Sequence, residues 1–221
     1  MTLPRDQIEK GLVEELSAFS ALVRSLDEAQ LAAPTRCDGW TVGDVAAHVA
    51  GTLADIVAGR FEGLGTPEVT QRQVDERAGR TPAVLADELD EVNVGAQQLL
   101  SVFDDDAWEA EAPAGVAPTV GWGVESLWYD AFVHGDDVRA ALGRPTAPSD
   151  AMRAAVSHIT AVLTDQDYPA ATVSLEGIES FDVSGGGGRT ITGDPLAFIL
   201  AGTGRGDPAS IGLDETVNIY R

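Results

Sequence analysis

Apolar residues recur every three to four positions along five stretches of the chain, the period of helices that bury one face. In residues 5–28 the stripe is Ile8, Leu12, Leu16, Phe19, Leu22, Val23 and Leu26, with acidic residues opposite. A turn-rich segment, 34–39, precedes a second helix, where Thr41 and Asp44 form a short-armed capping box and Val45, Val49, Leu53 and Ile56 supply the apolar stripe. Residues 61–80 show no clear period and predict a long connection with room for a short helix. Thr81 and Pro82 open a third helix, with Val84, Leu85, Leu89, Val92, Ala96, Leu99, Leu100 and Phe103 on its buried face. After a loop over 104–119, a fourth helix spans 121–142 and is stopped by Gly143 and Pro145.

Four amphipathic helices with some long connections predict an antiparallel, up-down four-helix bundle. A fifth helix follows over 149–164, and then the pattern changes. Residues 171–183 alternate and are rich in β-branched side chains, 185–188 form a glycine turn, and 189–192 return as a second strand. Asp194 caps a short apolar helix over 195–201, and 216–220 resembles a final strand. The expected organisation is a helical bundle over 1–147 and a small α+β domain over 148–221. The tail should rest on the bundle, because a segment of about 50 residues buries little core by itself.

The 221 residues are 44% hydrophobic and 23% charged, the balance of a globular chain able to build a core. A formal charge of −22 repels polyanions, which excludes nucleic acid as an expected partner. No run of about 18 uncharged apolar residues occurs, and residues 1–10 lack the basic-then-apolar pattern of a leader, so a cytoplasmic protein without membrane attachment is expected. The single cysteine, Cys37, rules out an internal disulfide and agrees with a reducing compartment. One lysine, Lys10, among fourteen basic residues points to a GC-rich bacterial genome.

Within that frame three side chains are out of place. On the fourth helix Leu127, Asp130, Ala131, His134 and Val138 share one face, so an acid and an imidazole sit in the stripe that should be buried. On the second, His48 lies between Val45 and Val49. An unpaired buried polar group costs on the order of 2 to 7 kcal/mol, and a charge costs more. A divalent cation would compensate all three at once, since two neutral imidazoles and a carboxylate are suitable ligands that leave positions open. Spacing alone equally allows an Asp130–His134 hydrogen-bonded pair with His48 a satisfied core histidine elsewhere.

The run from Cys37 through Asp38, Gly39, Trp40, Thr41 and Asp44 to His48 and Gly51 resembles a signature of the mycothiol-dependent maleylpyruvate isomerase family, part of the larger DinB-like group of metal-binding bundles. The run from Asp130 through His134, Gly135 and Asp137 to Pro145 resembles that family's second signature: an acid four before a histidine, then glycine, and an aspartate three after the histidine. The resemblance extends over the whole chain, the tail being similar to the family's C-terminal domain with its short helix ending in Gly204 and Arg205. It implies that His48, Asp130 and His134 bind zinc, with nickel or iron as other candidates. The characterised isomerase has glutamate where this chain has Asp130, an arm shorter by one methylene.

The resemblance further implies mycothiol as thiol cofactor and a small electrophilic substrate, in an isomerase or S-transferase acting as monomer or homodimer. Arg205 is the candidate anion clamp on a substrate carboxylate, a bidentate role suited to a guanidinium; its plain alternative is a loop arginine within 202–206. A non-catalytic metal-dependent ligand-binding module, a metal-assisted hydrolase and an iron(II) oxygenase remain as alternatives, the oxygenase last because its ligands usually sit on a β-barrel. His158 is expected to pack at the bundle edge. Cys37 has no evident base and reads as structural. Trp40, Trp122 and Trp128 are either pocket lining or core, Asp136 and Asp137 either support a ligand or face solvent, and the glycine-rich segments 185–188 and 202–206 are turns.

Overall fold

In the computed structural model, residues 3–221 are described; Met1 and Thr2, part of the segment expected to lack a leader, lie outside them. The described residues divide into two compact units, Pro4–Ala147 and Pro148–Arg221, the latter joined by Leu3.

In the first unit the long helices are α1 (Arg5–Arg24), α3 (Val42–Val57), α5 (Pro82–Leu100) and α7 (Val120–Ala141). Three shorter ones lie in the connections: α2 (Glu28–Leu31), α4 (Pro67–Asp75) and α6 (Asp105–Glu109). Both α1 and α3 pack on α5 and on α7, which makes a four-cornered bundle with α1 and α3 on one diagonal. Its interior is filled by Ile8, Leu12, Leu16, Phe19, Leu85, Leu89 and Phe132, all essentially inaccessible to water. The helix starts follow local chemistry. Thr41 and Asp44 form the reciprocal capping box, and the Thr81 and Thr119 side chains accept backbone N–H groups in the first turns of α5 and α7.

Two glycines set helix spacing. A Cβ on Gly11 would lie 2.2 Å from the Trp128 ring, and one on Gly51 would lie 2.6 Å from Gln73 Cβ. Trp128 is therefore core, wedged against α1. The aperiodic stretch 61–80 owes its helix α4 to the Thr66 cap and Pro67, and this helix packs on α3. Its short apolar content concealed it, because Val74 and Gln73 are its buried residues and one of those is polar.

The second unit comprises α8 (Asp150–Asp165), β1 (Ala171–Leu175), β2 (Phe181–Val183), β3 (Arg189–Gly193) and α9 (Pro195–Gly202). The sheet order is β2-β1-β3, with β1 antiparallel to β2 and parallel to β3. The region 171–183 is thus two strands rather than one, broken where Gly177 adopts φ +73. Ala171, Val173 and Leu175 point into a core with Ile159, Leu163, Ile191, Phe198 and Ile199. Residues 216–220 are not a strand. A short 3-10 turn at Glu215–Val217 starts on the Asp214 side chain, whose local hydrogen bonds outcompete extended pairing. His158 is buried on α8 in this unit, so it lies outside the bundle's helices.

Among the described residues no helix is long and apolar enough to cross a membrane.

Candidate metal centre

α3 and α7 are neighbours in the bundle, and their out-of-place side chains converge. His48 Nε2 stands 3.8 Å from Asp130 Oδ2, and His134 Nε2 stands 3.5 Å from Asp130 Oδ1. The two imidazoles meet edge to face with centroids 5.1 Å apart. One donor atom from each residue lies within 4.8 Å of the others. These separations exceed the ~2.7–2.9 Å of a charge-assisted hydrogen bond. Two donors on one tetrahedral zinc, with bonds of ~2.0–2.1 Å, stand about 3.4 Å apart. The donor set and its spacing are compatible with a divalent cation held in common.

The surroundings hold both rings by their other nitrogen. His134 Nδ1 donates to Asp137 Oδ2 at 2.9 Å, and Asp137 is completely buried. The Cys37 thiol donates to the same oxygen at 3.1 Å, and Arg36 Nε donates to Asp137 Oδ1 at 2.6 Å. The Arg36 guanidinium also pairs with Asp136, which accepts the Thr146 hydroxyl as well. On the other ring, His48 Nδ1 meets Gln73 Oε1 at 3.3 Å, and Trp40 tilts over the imidazole with centroids 5.3 Å apart.

Arg36, Cys37 and Trp40 reach these places because the loop between α2 and α3 is tightly folded. Thr35 N donates to Trp40 O, Trp40 N to Cys37 O, and Gly39 takes φ +78 in open space, a conformation glycine accepts without strain.

The imidazoles differ electrostatically. Burial pulls His134 down, yet Asp130, Asp137 and the Cys37 thiol together hold it well above the usual imidazole range. Burial pushes His48 below that range, helped by His134 and opposed by Asp130 and Gln73. With carboxylates at both nitrogens, His134 is where a proton rests most readily; a cation at Nε2 would take the place of that proton.

Cys37, His134 and Asp137 form a second group of potential donors. The Arg36 guanidinium already neutralises Asp137 there. Paired in this way, Asp137 supports the His134 ring, which leaves the His48, Asp130 and His134 group as the candidate for a cation.

Arg205 lies in the second unit, in the loop after α9. Its backbone N–H donates to Leu200 O at 2.7 Å, and its Nη1 stands 3.4 Å from Thr203 O. Gly204, at φ +68, turns the chain just before it.

The fold has counterparts among known sequences and structures. The family model described as mycothiol maleylpyruvate isomerase N-terminal domain matches residues 12–139, more than half of the chain. The chain belongs to that family. A crystal structure of the mycothiol-dependent maleylpyruvate isomerase is similar over 93% of this chain and 92% of the other, with TM-score 0.66 and 18% identity. A histidine-to-alanine mutant of that isomerase matches over the same shares, with TM-score 0.63 and 16% identity. At these identities the likeness carries the fold, including the second unit. No curated protein sequence matches the chain.

Proposed function

We propose that this chain is a metal-dependent, thiol-using enzyme in which His48, Asp130 and His134 hold one divalent cation, zinc in the first instance. The observation that carries the proposal is the convergence of two imidazole nitrogens and a carboxylate oxygen within 4.8 Å of one another. A cation there supplies a lowered thiol pKa, and hence a thiolate nucleophile at neutral pH. Family membership supports mycothiol as that thiol and a small unsaturated acid as the electrophile, with isomerisation, or transfer of the thiol, as the outcome.

The chain's own residues have separable tasks in this proposal. Asp137 fixes the His134 ring and its tautomer, and the Arg36 guanidinium holds the Asp137 carboxylate in place. The Trp40 face shields His48 from water. Arg205 is proposed as the clamp for a substrate carboxylate.

The test is metal content per chain in the native protein, His48→Ala and His134→Ala, followed by thiol-dependent turnover of electrophilic acids. Near-stoichiometric zinc lost in both variants supports the centre; no zinc in the native protein, and none after zinc or nickel is added, ends it. Bound metal without any thiol-dependent turnover favours the non-catalytic binding module. For Arg205→Ala, a raised KM for the acid is expected, and unchanged kcat and KM would remove the clamp.

A further inference from the structure

The helix α4 supplies no donor to the cluster of His48, Asp130 and His134, yet one of its side chains touches that cluster. Gln73 is 1% exposed, and its amide lies among three side chains of α3. Its Nε2 donates to Asp55 Oδ2 at 2.7 Å. Its Oε1 stands 3.3 Å from His48 Nδ1 and accepts the Thr52 hydroxyl at 3.1 Å.

Which end of the amide faces which neighbour follows from Asp55. That carboxylate, also 1% exposed, takes Arg72 Nη2 at 2.6 Å, Arg60 Nε at 2.8 Å and Arg60 Nη2 at 2.7 Å. Burial alone would raise its pKa, but the hydrogen bonds from Gln73, Arg72 and Arg60 hold it below the ordinary carboxylate value. An ionised carboxylate only accepts, so the Gln73 nitrogen faces Asp55 and the oxygen faces His48. An amide oxygen also only accepts. The ring proton of neutral His48 must then sit on Nδ1, which leaves the Nε2 lone pair at the Asp130 edge.

Close approach makes this possible. Gly51 lies three residues after His48 on α3, and its missing side chain is what lets the Gln73 stem come within van der Waals contact. Arg77, donating from Nη1 to Gln73 O at 3.0 Å, pins the backbone of α4 at the same point.

We infer that Gln73, locked by Asp55, is a positioning residue that fixes the His48 tautomer and aims Nε2 at the metal. The inference rests on the metal centre proposed above. It adds to that proposal a support for the ligand on α3, built from a segment that contributes no ligand.

The experiment measures zinc affinity by competition with a chromophoric chelator in the full chain, alongside NMR detection of a slowly exchanging imidazole Nδ1–H on His48 in the zinc-loaded protein. Gln73→Met keeps the length and packing but removes the acceptor; Gln73→Glu keeps an oxygen toward His48, sharing a proton with Asp55 on its other side. The expected result is a ~10- to 100-fold loss of zinc affinity in Gln73→Met, with the His48 ring proton lost to exchange, and recovery to within about threefold of native in Gln73→Glu. Thermal unfolding of the metal-free variants separates loss of fold from loss of aim. If Gln73→Met does not fold, Gln73→Glu decides: near-native affinity with the ring proton retained supports the inference, and a loss above tenfold in a folded chain overturns it. Native-like affinity and an unchanged ring proton in Gln73→Met also overturn it while leaving the metal centre standing. A native protein that takes up no zinc instead overturns the centre itself, and this inference with it.

Discussion

The two histidines of the centre are supported in opposite ways. His134 leans on a charge: a buried carboxylate one turn along its own helix, itself paired with the Arg36 guanidinium from a distant loop. His48 leans on a neutral amide delivered by another helix, with the charge one step further back at Asp55. Both chains of contacts include an arginine-compensated aspartate, directly at His134 and one residue removed at His48. A carboxylate in direct contact raises the basicity of its imidazole, and an amide does so less, so the difference predicts one strongly and one weakly basic ligand on the proposed ion.

The comparison is broken most directly at Asp137. Asp137→Ala leaves His134 Nδ1 without its acceptor and Arg36 with only Asp136. The expected outcome is a loss of about 3 kcal/mol in denaturant unfolding of the metal-free chain. It should weaken zinc more than Gln73→Met does; an equal effect would mean that the two supports are equivalent, and a smaller one would reverse the comparison.

Acid titration sharpens the other side. Asp55 has a folded pKa below its ordinary value of 3.8, so its contribution to stability is fully present above that value and is lost as pH falls through the lower folded one. Asp55→Asn should therefore be less stable than native at pH 7, by about 1 to 2 kcal/mol for the charge-assisted bonds removed. The gap should narrow as pH falls below 3.8 and through the lower folded value. Parallel melting curves from pH 7 to pH 2.5 check this; a constant gap would mean that Asp55 matters by shape rather than charge.

The smallest effect is expected at a carboxylate without such compensation. Burial raises the pKa of Glu15 on α1 despite the opposing charge of Arg139. The sign is opposite to that of Asp55: the ionised form is disfavoured by folding, so neutralising it helps above the raised folded pKa and makes no difference below the ordinary 4.5. Glu15→Gln should then be at least as stable as native at pH 7, with the difference vanishing by about pH 4. Melting temperatures at the two pH values decide it.

How much of this was legible in the sequence depends on how local the cause is. The long helices could be read because their stripes and caps are properties of adjacent residues; Thr41 with Asp44, and Thr81 with Pro82, act where they stand. Asp130 and His134 were visible as polar residues in an apolar stripe, and Asp137 as an aspartate three residues beyond. The choice between core support and solvated face for Asp137 needed the loop carrying Arg36, about 100 positions away in sequence. Gln73 could not have been found by pattern. It sits in a stretch without periodicity, and its partners His48 and Asp55 lie on another helix. The tail was misjudged where side chains competed with backbone pairing, as Asp214 does before the 3-10 turn, and where Gly177 split one apparent strand into two.

The absent side chain at Gly51 has a consequence for reading related sequences. A chain could keep the histidines and the acid in register and still differ here by one methyl group, which would meet Gln73 Cβ at 2.6 Å and force α4 outward. Such a relative would match at every ligand and yet lack the amide behind one of them. Matching ligands therefore identifies where an ion can sit, while the residue at position 51 records whether the neighbouring helix is close enough to tune it.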